Sequence, residues 1–200
     1  MKQAVALYDF DDTLANGDTI NRLLIYDLKK HPLHLFKFIK VGLLFVGYKL
    51  HMNTFEKSKE ALLFPLRSMD AASQMAFYKQ HVAPYYYKNV VETLNKHKEN
   101  GLYVVICTAS TSSYMQYTDL NCDVLIGTDI DDHYHIVGGN CKGKNKIPKI
   151  LHALEKENIE IDYENSYGYS DSNSDIPMLS LVKNRYRIVK KTGEIIPFVE

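Results

Sequence analysis

Hydrophobic and polar positions along the 200-residue chain change their spacing twice. Ala4 to Tyr8 is an apolar run of strand length that empties into Asp9, Asp11 and Asp12. A block with helical spacing and no strand signal follows. Asp18 caps a helix carrying Ile20, Leu23, Leu24 and Leu28 on one face, ended by Pro32; Leu33 to Leu50 is apolar and aromatic. Asn53, with Glu56 three residues on, opens a helix through Leu63, and Asp70 opens another to Val82, ahead of Pro84. From Val90 onward helix and strand alternate, with strands predicted at 102–107, 124–127, 166–170 and 186–189 and a helix at 147–157. That alternation predicts an α/β fold, a parallel sheet covered on both faces. Thr128 to Gly139 alternates about a turn at Asp131 and Asp132 and reads as a hairpin, with His133 and His135 as exposed hairpin residues rather than metal ligands.

Polar chemistry collects where strands end. Three carboxylates after the first strand resist ionising together, and a hard cation such as Mg²⁺ would neutralise them. The run Leu102 to Ser110 delivers the Thr108 hydroxyl and the free amides beyond it, which suit a phosphate oxygen. Lys146 stands just before a helix with Pro148 near its first turn, where a lysine can face an anion. Tyr167 to Asp175 ends in two more carboxylates, Asp171 and Asp175. In this order the four segments are the parts needed for metal-assisted phosphoryl transfer through a phospho-aspartate, at the carboxyl ends of parallel strands.

The same four segments resemble the motifs of the haloacid dehalogenase superfamily of phosphatases, subfamily IB, the phosphoserine phosphatase-like branch. The resemblance spans nearly the whole chain. It implies a three-layer Rossmann-like core from residues 1–14 and 85–200, and an inserted all-helical cap of the C1 type over residues 15–84. It also implies a catalytic Asp9 nucleophile forming an aspartyl-phosphate, with Asp11 as general acid and base. Thr108, Ala109 and Lys146 would bind phosphate. Mg²⁺ would be held by Asp9, Asp11 and Asp171, while Asp175 orders the metal's water shell or the lysine. Asp12 is expected to serve the turn. The presence of Asp11 favours phosphate-ester hydrolysis over dehalogenation. A receiver-like signalling domain or a phosphate-binding protein is the non-enzyme alternative, but a receiver carries its phosphorylated Asp after a later strand, and Leu102 to Ser110 has none.

Composition narrows the partners. Formal net charge is zero, so nothing favours nucleic acid as a bulk electrostatic partner. Residues 15–84 nevertheless hold 10 Lys and Arg against 5 Asp and Glu, leaving 14 against 19 elsewhere, so the insertion is basic and the motif-bearing part acidic. Three cysteines without C-x-x-C spacing and without a secretory leader indicate reduced thiols and a cytoplasmic location, with Cys107 a buried, inert thiol.

Substrate choice falls to the insertion. Asp18 matches the acid that binds the serine amino group in phosphoserine phosphatases, but the position of the carboxylate-binding arginine is Leu62, with Arg67 the nearest substitute. The form of the third and fourth motifs is also similar to relatives that include phosphatidylglycerophosphate phosphatases. The expected substrate is therefore a small-molecule phosphomonoester or a lipid phosphate, phosphoserine being one alternative. Leu33 to Leu50, with lysines in and around it, is either a packed cap helix or a peripheral membrane contact through 33–50.

Overall fold

The computed structural model describes residues 2–199. Two short strands open the chain, β1 (Lys2–Gln3) and β2 (Val5–Tyr8). Helices α1 (Thr19–Lys30), α2 (Lys37–Lys49), α3 (Phe55–Leu62), α4 (Ala71–His81) and α5 (Lys88–Glu99) follow without an intervening strand. Next come β3 (Tyr103–Thr111), α6 (Ser112–Met115), β4 (Val124–Ile130), β5 (Ile136–Val137), α7 (Lys146–Lys156), β6 (Glu160–Ile161), β7 (Tyr167–Ser170), α8 (Ile176–Leu179), β8 (Asn184–Val189) and β9 (Glu194–Pro197).

Seven strands form one sheet in the order β5-β4-β3-β2-β7-β8-β9, with neighbours among β4, β3, β2, β7 and β8 parallel and the edge strands β5 and β9 antiparallel. Parallel strands are covered on both faces, which is why the first strand reads as apolar throughout. Ala6, Tyr8, Val104 and Ile106 face one core, shared with α5, α4 and α6; Val5, Leu7, Val105 and Cys107 face the other, shared with α7 and α8. The layered α/β architecture expected from the alternation is the one observed. A stack of Tyr8, Tyr169 and Tyr186 crosses β2, β7 and β8, with ring centroids 4.5 and 5.2 Å apart.

The helical insertion leaves and rejoins the core through paired backbone. Tyr87 N–H donates to Leu14 O and Asn16 N–H to Tyr85 O, both at 2.9 Å. Asp18 caps α1 as expected, accepting from Asn21 N–H, and Asp70 caps α4 through Ser73 N–H, each worth about 1 kcal/mol.

Local details depart from the sequence-based expectations. Leu33 to Leu50 is not one helix: Pro32–Phe36 forms a 3₁₀ turn before α2, as the ring of Pro32 at its first position favours. Thr54, not Asn53, caps α3, its hydroxyl accepting from Lys57 N–H, while the Asn53 amide donates to Leu44 O. β1, β6 and β9 go beyond the sequence-based expectation: β1 and β6 have two residues each, too few to carry a period, and form by pairing with each other across the chain, while the four-residue β9 folds back on β8. The hairpin at β4 and β5 is present, and Asp131 accepts from His133 and His135 N–H, fixing the turn.

Candidate active site

The carboxyl ends of β2, β3 and β7 meet the start of α7, and the candidate residues meet there. Asp9 follows β2, and its N–H continues the ladder by donating to Tyr169 O at 3.0 Å. Phe10 turns into the core against Tyr78 and Tyr86, so this apolar residue anchors the strand end between the two acids. The chain then coils: Thr13, Leu14 and Ala15 N–H all donate to Phe10 O. Asp12 takes a left-handed φ of 56° and accepts from Gly17 N–H, the turn role expected of it.

Asp9 is buried and accepts from Lys146 Nζ at 2.6 Å on Oδ1. The same ammonium donates to Asp175 Oδ2 at 2.9 Å, an oxygen that also receives the Ser170 hydroxyl at 2.8 Å. Asp175 therefore shares the lysine with Asp9. Burial would lower the pKa of Lys146, but Asp9 and Asp175 outweigh that and raise it, so the lysine stays charged. Burial likewise pushes Asp9 above the ordinary carboxylate range, with Lys146 pulling it back.

Asp11 sits in a different setting. Thr19 N–H donates to Oδ1 at 2.8 Å and Ser110 Oγ to Oδ2 at 2.7 Å. Burial, reinforced by the charge of Asp18, pushes its carboxyl up to about 7, which lets it hold or release a proton near neutrality.

Thr108 to Ser110 leave the ladder. Cys107 pairs with Ile126 but Thr111 with Thr128, so β3 carries two extra residues at this point. Such a bulge re-aims backbone at a strand end. Thr108 is fully buried, its hydroxyl accepts from Ser110 N–H at 3.0 Å, and Ala109 lines the pocket. The cavity, of about 200 Å³, is also lined by Asp9, Asp11, Asp12, Asp18, Lys142, Lys146, Asp171, Asp175 and Lys190.

Arg67 is not brought to this cavity. It is exposed on a 3₁₀ turn, with its guanidinium 5.7 Å from the centre of the Tyr134 ring and outside the residues that line the pocket. Nearness in sequence to the cap helix does not fix the direction of a side chain on that turn. Cys107 is buried, as expected, with its sulfur 3.3 Å from that of Cys141.

Four residues of the site escaped the sequence reading. The Thr13 hydroxyl donates to Asp9 Oδ2 (3.4 Å) or Asp171 Oδ1 (3.3 Å) and accepts from Asp171 N–H (3.0 Å), joining the two strand ends. Ser110 orients Asp11. Lys190, just past β8, sets its ammonium 2.9 Å from Asp171 Oδ2 and 3.0 Å from Asp12 Oδ2. Lys59, from α3, is buried and donates to Ala109 O at 2.6 Å, to Thr128 Oγ1 at 3.4 Å and to Asn140 Oδ1. Position at a parallel strand's carboxyl end was an available signal for Ser110 and Lys190; Lys59 offered none.

Among the described residues no three His, Cys, Asp or Glu side chains are grouped to hold a metal. The donors available are instead two carboxylates, Asp9 and Asp171, tied through Thr13. Hard oxygen donors of this kind suit Mg²⁺. Asp175 Oδ1 is buried without a hydrogen-bond partner, and an ammonium, that of Lys190, already stands against Asp171 and Asp12, so the cluster both keeps spare acceptor capacity and draws a cation. These residues fit the ion.

Residues 6–180 match the family of haloacid dehalogenase-like hydrolases. No curated protein matches the sequence. Among solved structures, a protein of unknown function from Bordetella pertussis Tohama I is 21% identical, with a TM-score of 0.77 over 92% of this chain and 89% of its own. A phospho-aspartyl intermediate analogue of phosphoserine phosphatase is 18% identical, with a TM-score of 0.62 over 92% and 86%. A phosphoserine phosphohydrolase-like protein from Francisella tularensis subsp. tularensis SCHU S4 is 19% identical, with a TM-score of 0.59 over 92% and 86%. At these identities the likeness is one of fold.

Proposed function

Because the chain belongs to the haloacid dehalogenase-like hydrolase family, we propose that it is a Mg²⁺-dependent phosphomonoester hydrolase of the phosphoserine phosphatase-like branch, working through an aspartyl-phosphate. The observation that carries this reading is Asp11: a carboxyl pushed up to about 7, two residues from a buried Asp9 in the same cavity, is a proton donor beside a nucleophile.

A carboxylate oxygen of Asp9 attacks phosphorus in line, while protonated Asp11 gives its proton to the leaving alkoxide. Asp11, now ionised, takes a proton from the water that opens the aspartyl-phosphate and so returns to its starting state. Lys146 fixes the Asp9 carboxylate and offers positive charge to the phosphoryl oxygens, and the amide N–H of Ala109, the bulge residue that lines the cavity, would add a donor. Asp9, Asp171 and the Asp11 carbonyl would hold Mg²⁺, which supplies charge that offsets repulsion between an anionic nucleophile and an anionic substrate.

Residues 15–84 form the cap in this reading and choose the substrate. Asp18 lines the cavity and is kept as a selecting residue, whereas Arg67 is set aside by its position. Lys59 has three donors directed at three protein acceptors and none left for a ligand, so it does not replace the missing arginine. A lipid phosphate is the second substrate reading, favoured by the exposed apolar face of α2.

The test is phosphate release with and without Mg²⁺ after EDTA treatment, for wild type and Asp9→Asn. The panel holds soluble phosphomonoesters, phosphoserine and phosphatidylglycerophosphate in micelles. Wild type is expected to turn over only with metal, and Asp9→Asn to lose at least about 10³-fold. Retained turnover in Asp9→Asn would remove the nucleophile and with it the mechanism.

A further inference from the structure

α2 is apolar around most of its circumference, yet only one side of it is packed. Val41 is its one buried residue, and Phe38, Phe45 and Tyr48 lie against Phe64 and Phe55 with centroids 5.6 to 6.3 Å apart. The opposite side is open: Ile39, Leu43 and Val46 on α2, with Leu33 and Phe36 in the turn before it and Leu50 just after it, are each 54 to 78% exposed. From Phe36 onward these residues recur at intervals of three and four, which is one stripe along a helix. Large apolar side chains exposed side by side along one stripe form a contiguous patch of the kind that marks an interaction site.

Charge identifies the partner. Between Leu28 and Phe55 the chain has no Asp or Glu and carries Lys29, Lys30, Lys37, Lys40 and Lys49. At about 100° per residue, Lys40 and Lys49 fall on the two flanks of the stripe, where their stems can lie along apolar surface while the ammonium groups stay in water. A second copy of the chain is a poor occupant, since a two-fold contact would set these lysines against each other with no acid in the segment. No helix among the described residues is long and apolar enough to cross a membrane. At 13 residues, or about 20 Å, α2 has the length to lie in an interface and not to span one.

We propose that the outer face of α2 docks on an anionic phospholipid bilayer, with Phe36, Ile39, Leu43 and Val46 entering the acyl boundary and the flanking lysines meeting lipid phosphates. The docking element lies near the reaction site: Tyr48 and Lys142 line a cavity of about 420 Å³ beside α2, and Lys142 also lines the separate Asp9 cavity.

The experiment is co-sedimentation of the full chain with large unilamellar vesicles of phosphatidylcholine alone or with about 40% phosphatidylglycerol, at low and at physiological salt. Wild type is expected to bind the anionic vesicles at least tenfold more strongly than the neutral ones. The triple variant Ile39→Ser, Leu43→Ser, Val46→Ser should lose at least tenfold, and the double variant Lys40→Gln, Lys49→Gln should lose the salt-sensitive part. All three substituted residues are exposed, and thermal melts of the variants check the fold. Asp9→Asn should bind vesicles like wild type, and wild-type binding without turnover of any phosphate ester would sink the catalytic reading and leave the docking intact. Equal recovery of wild type with and without vesicles, or undiminished binding by the triple variant, overturns the proposal. A wild-type dimer in light scattering that the triple variant converts to monomer overturns it in favour of a second copy.

Discussion

Lys146 Nζ lies 2.6 Å from Asp9 Oδ1, although the two residues are 137 positions apart. One ammonium serves two buried carboxylates here, since Asp175 accepts from it as well. Removing the cation would leave two acids facing each other in low dielectric, at a cost of about 3–5 kcal/mol. Lys146→Met is therefore expected to lower stability in EDTA by that order and to cut phosphate release by about 10³-fold. Urea titration and steady-state rates read the two effects separately. A near-normal rate in a folded variant would show that Lys146 neutralises charge without assisting transfer.

The raised pKa of Asp11 predicts a stability profile with a definite sign in metal-free protein. Its carboxyl binds a proton more tightly when folded (about 7) than unfolded (near 3.8), so the folded state holds more protons between those values. Stability then falls as pH rises from about 4 to 7, and the full cost is present above 7. Complete conversion would give about 4 kcal/mol, but Asp11 is partly open to solvent, so about 2 kcal/mol is expected. Urea unfolding of wild type and Asp11→Asn in EDTA at pH 5 and pH 8 checks this: the variant should gain on wild type at the higher pH. Parallel profiles would mean that Asp11 titrates like a free carboxyl and lacks the proton the mechanism assigns it.

What was legible in the sequence follows one physical rule. A carboxylate directly after an apolar strand has few structural reasons to be there, so Asp9, Asp11, Asp171 and Asp175 stood out, and the structure gathers them around one cavity. Lys146 was legible because it opens a helix at the same end of the sheet. The parallel order of the sheet followed from alternation, whereas the edge strand β9 did not, since four residues that pair only with β8 carry too little pattern. Arg67 shows the opposite failure: a residue of the right chemistry, close in sequence to the cap helix, is turned away by a 3₁₀ turn. α2 was legible as apolar and basic, but not which of its sides would be covered, because that depends on where Phe55 and Phe64 land.

Lys59 is the residue whose role the sequence hid most completely. In Phe55–Leu62 it alternates with glutamates and serine as a solvated helix face would, yet it is buried against the core with its ammonium on Ala109 O, Asn140 Oδ1 and Thr128 Oγ1. Two helix neighbours make parallel contacts, Glu56 accepting from Asn140 N–H and Glu60 from Ile136 N–H, so α3 is stitched to β5 and the residues just after it. Ala109 lines the reaction cavity, and through its carbonyl Lys59 holds the bulge in place without touching the substrate. Lys59→Met leaves the Thr128 hydroxyl able to donate to Ala109 O or to Asn140 Oδ1, but not to both, so one buried acceptor is orphaned at about 1–3 kcal/mol. The bulge then loosens, and a displacement of about 1 Å in a positioning group costs up to about 100-fold in rate. The expected outcome is a fall in kcat of at least about tenfold, together with faster amide hydrogen exchange at Ala109 and Ser110 than in wild type. Lys59→Arg should not restore either quantity, because a planar fork cannot meet three acceptors arranged around a compact ammonium. Slower turnover with unchanged exchange would place Lys59 in substrate binding instead, and wild-type values of both would reduce it to a packing residue.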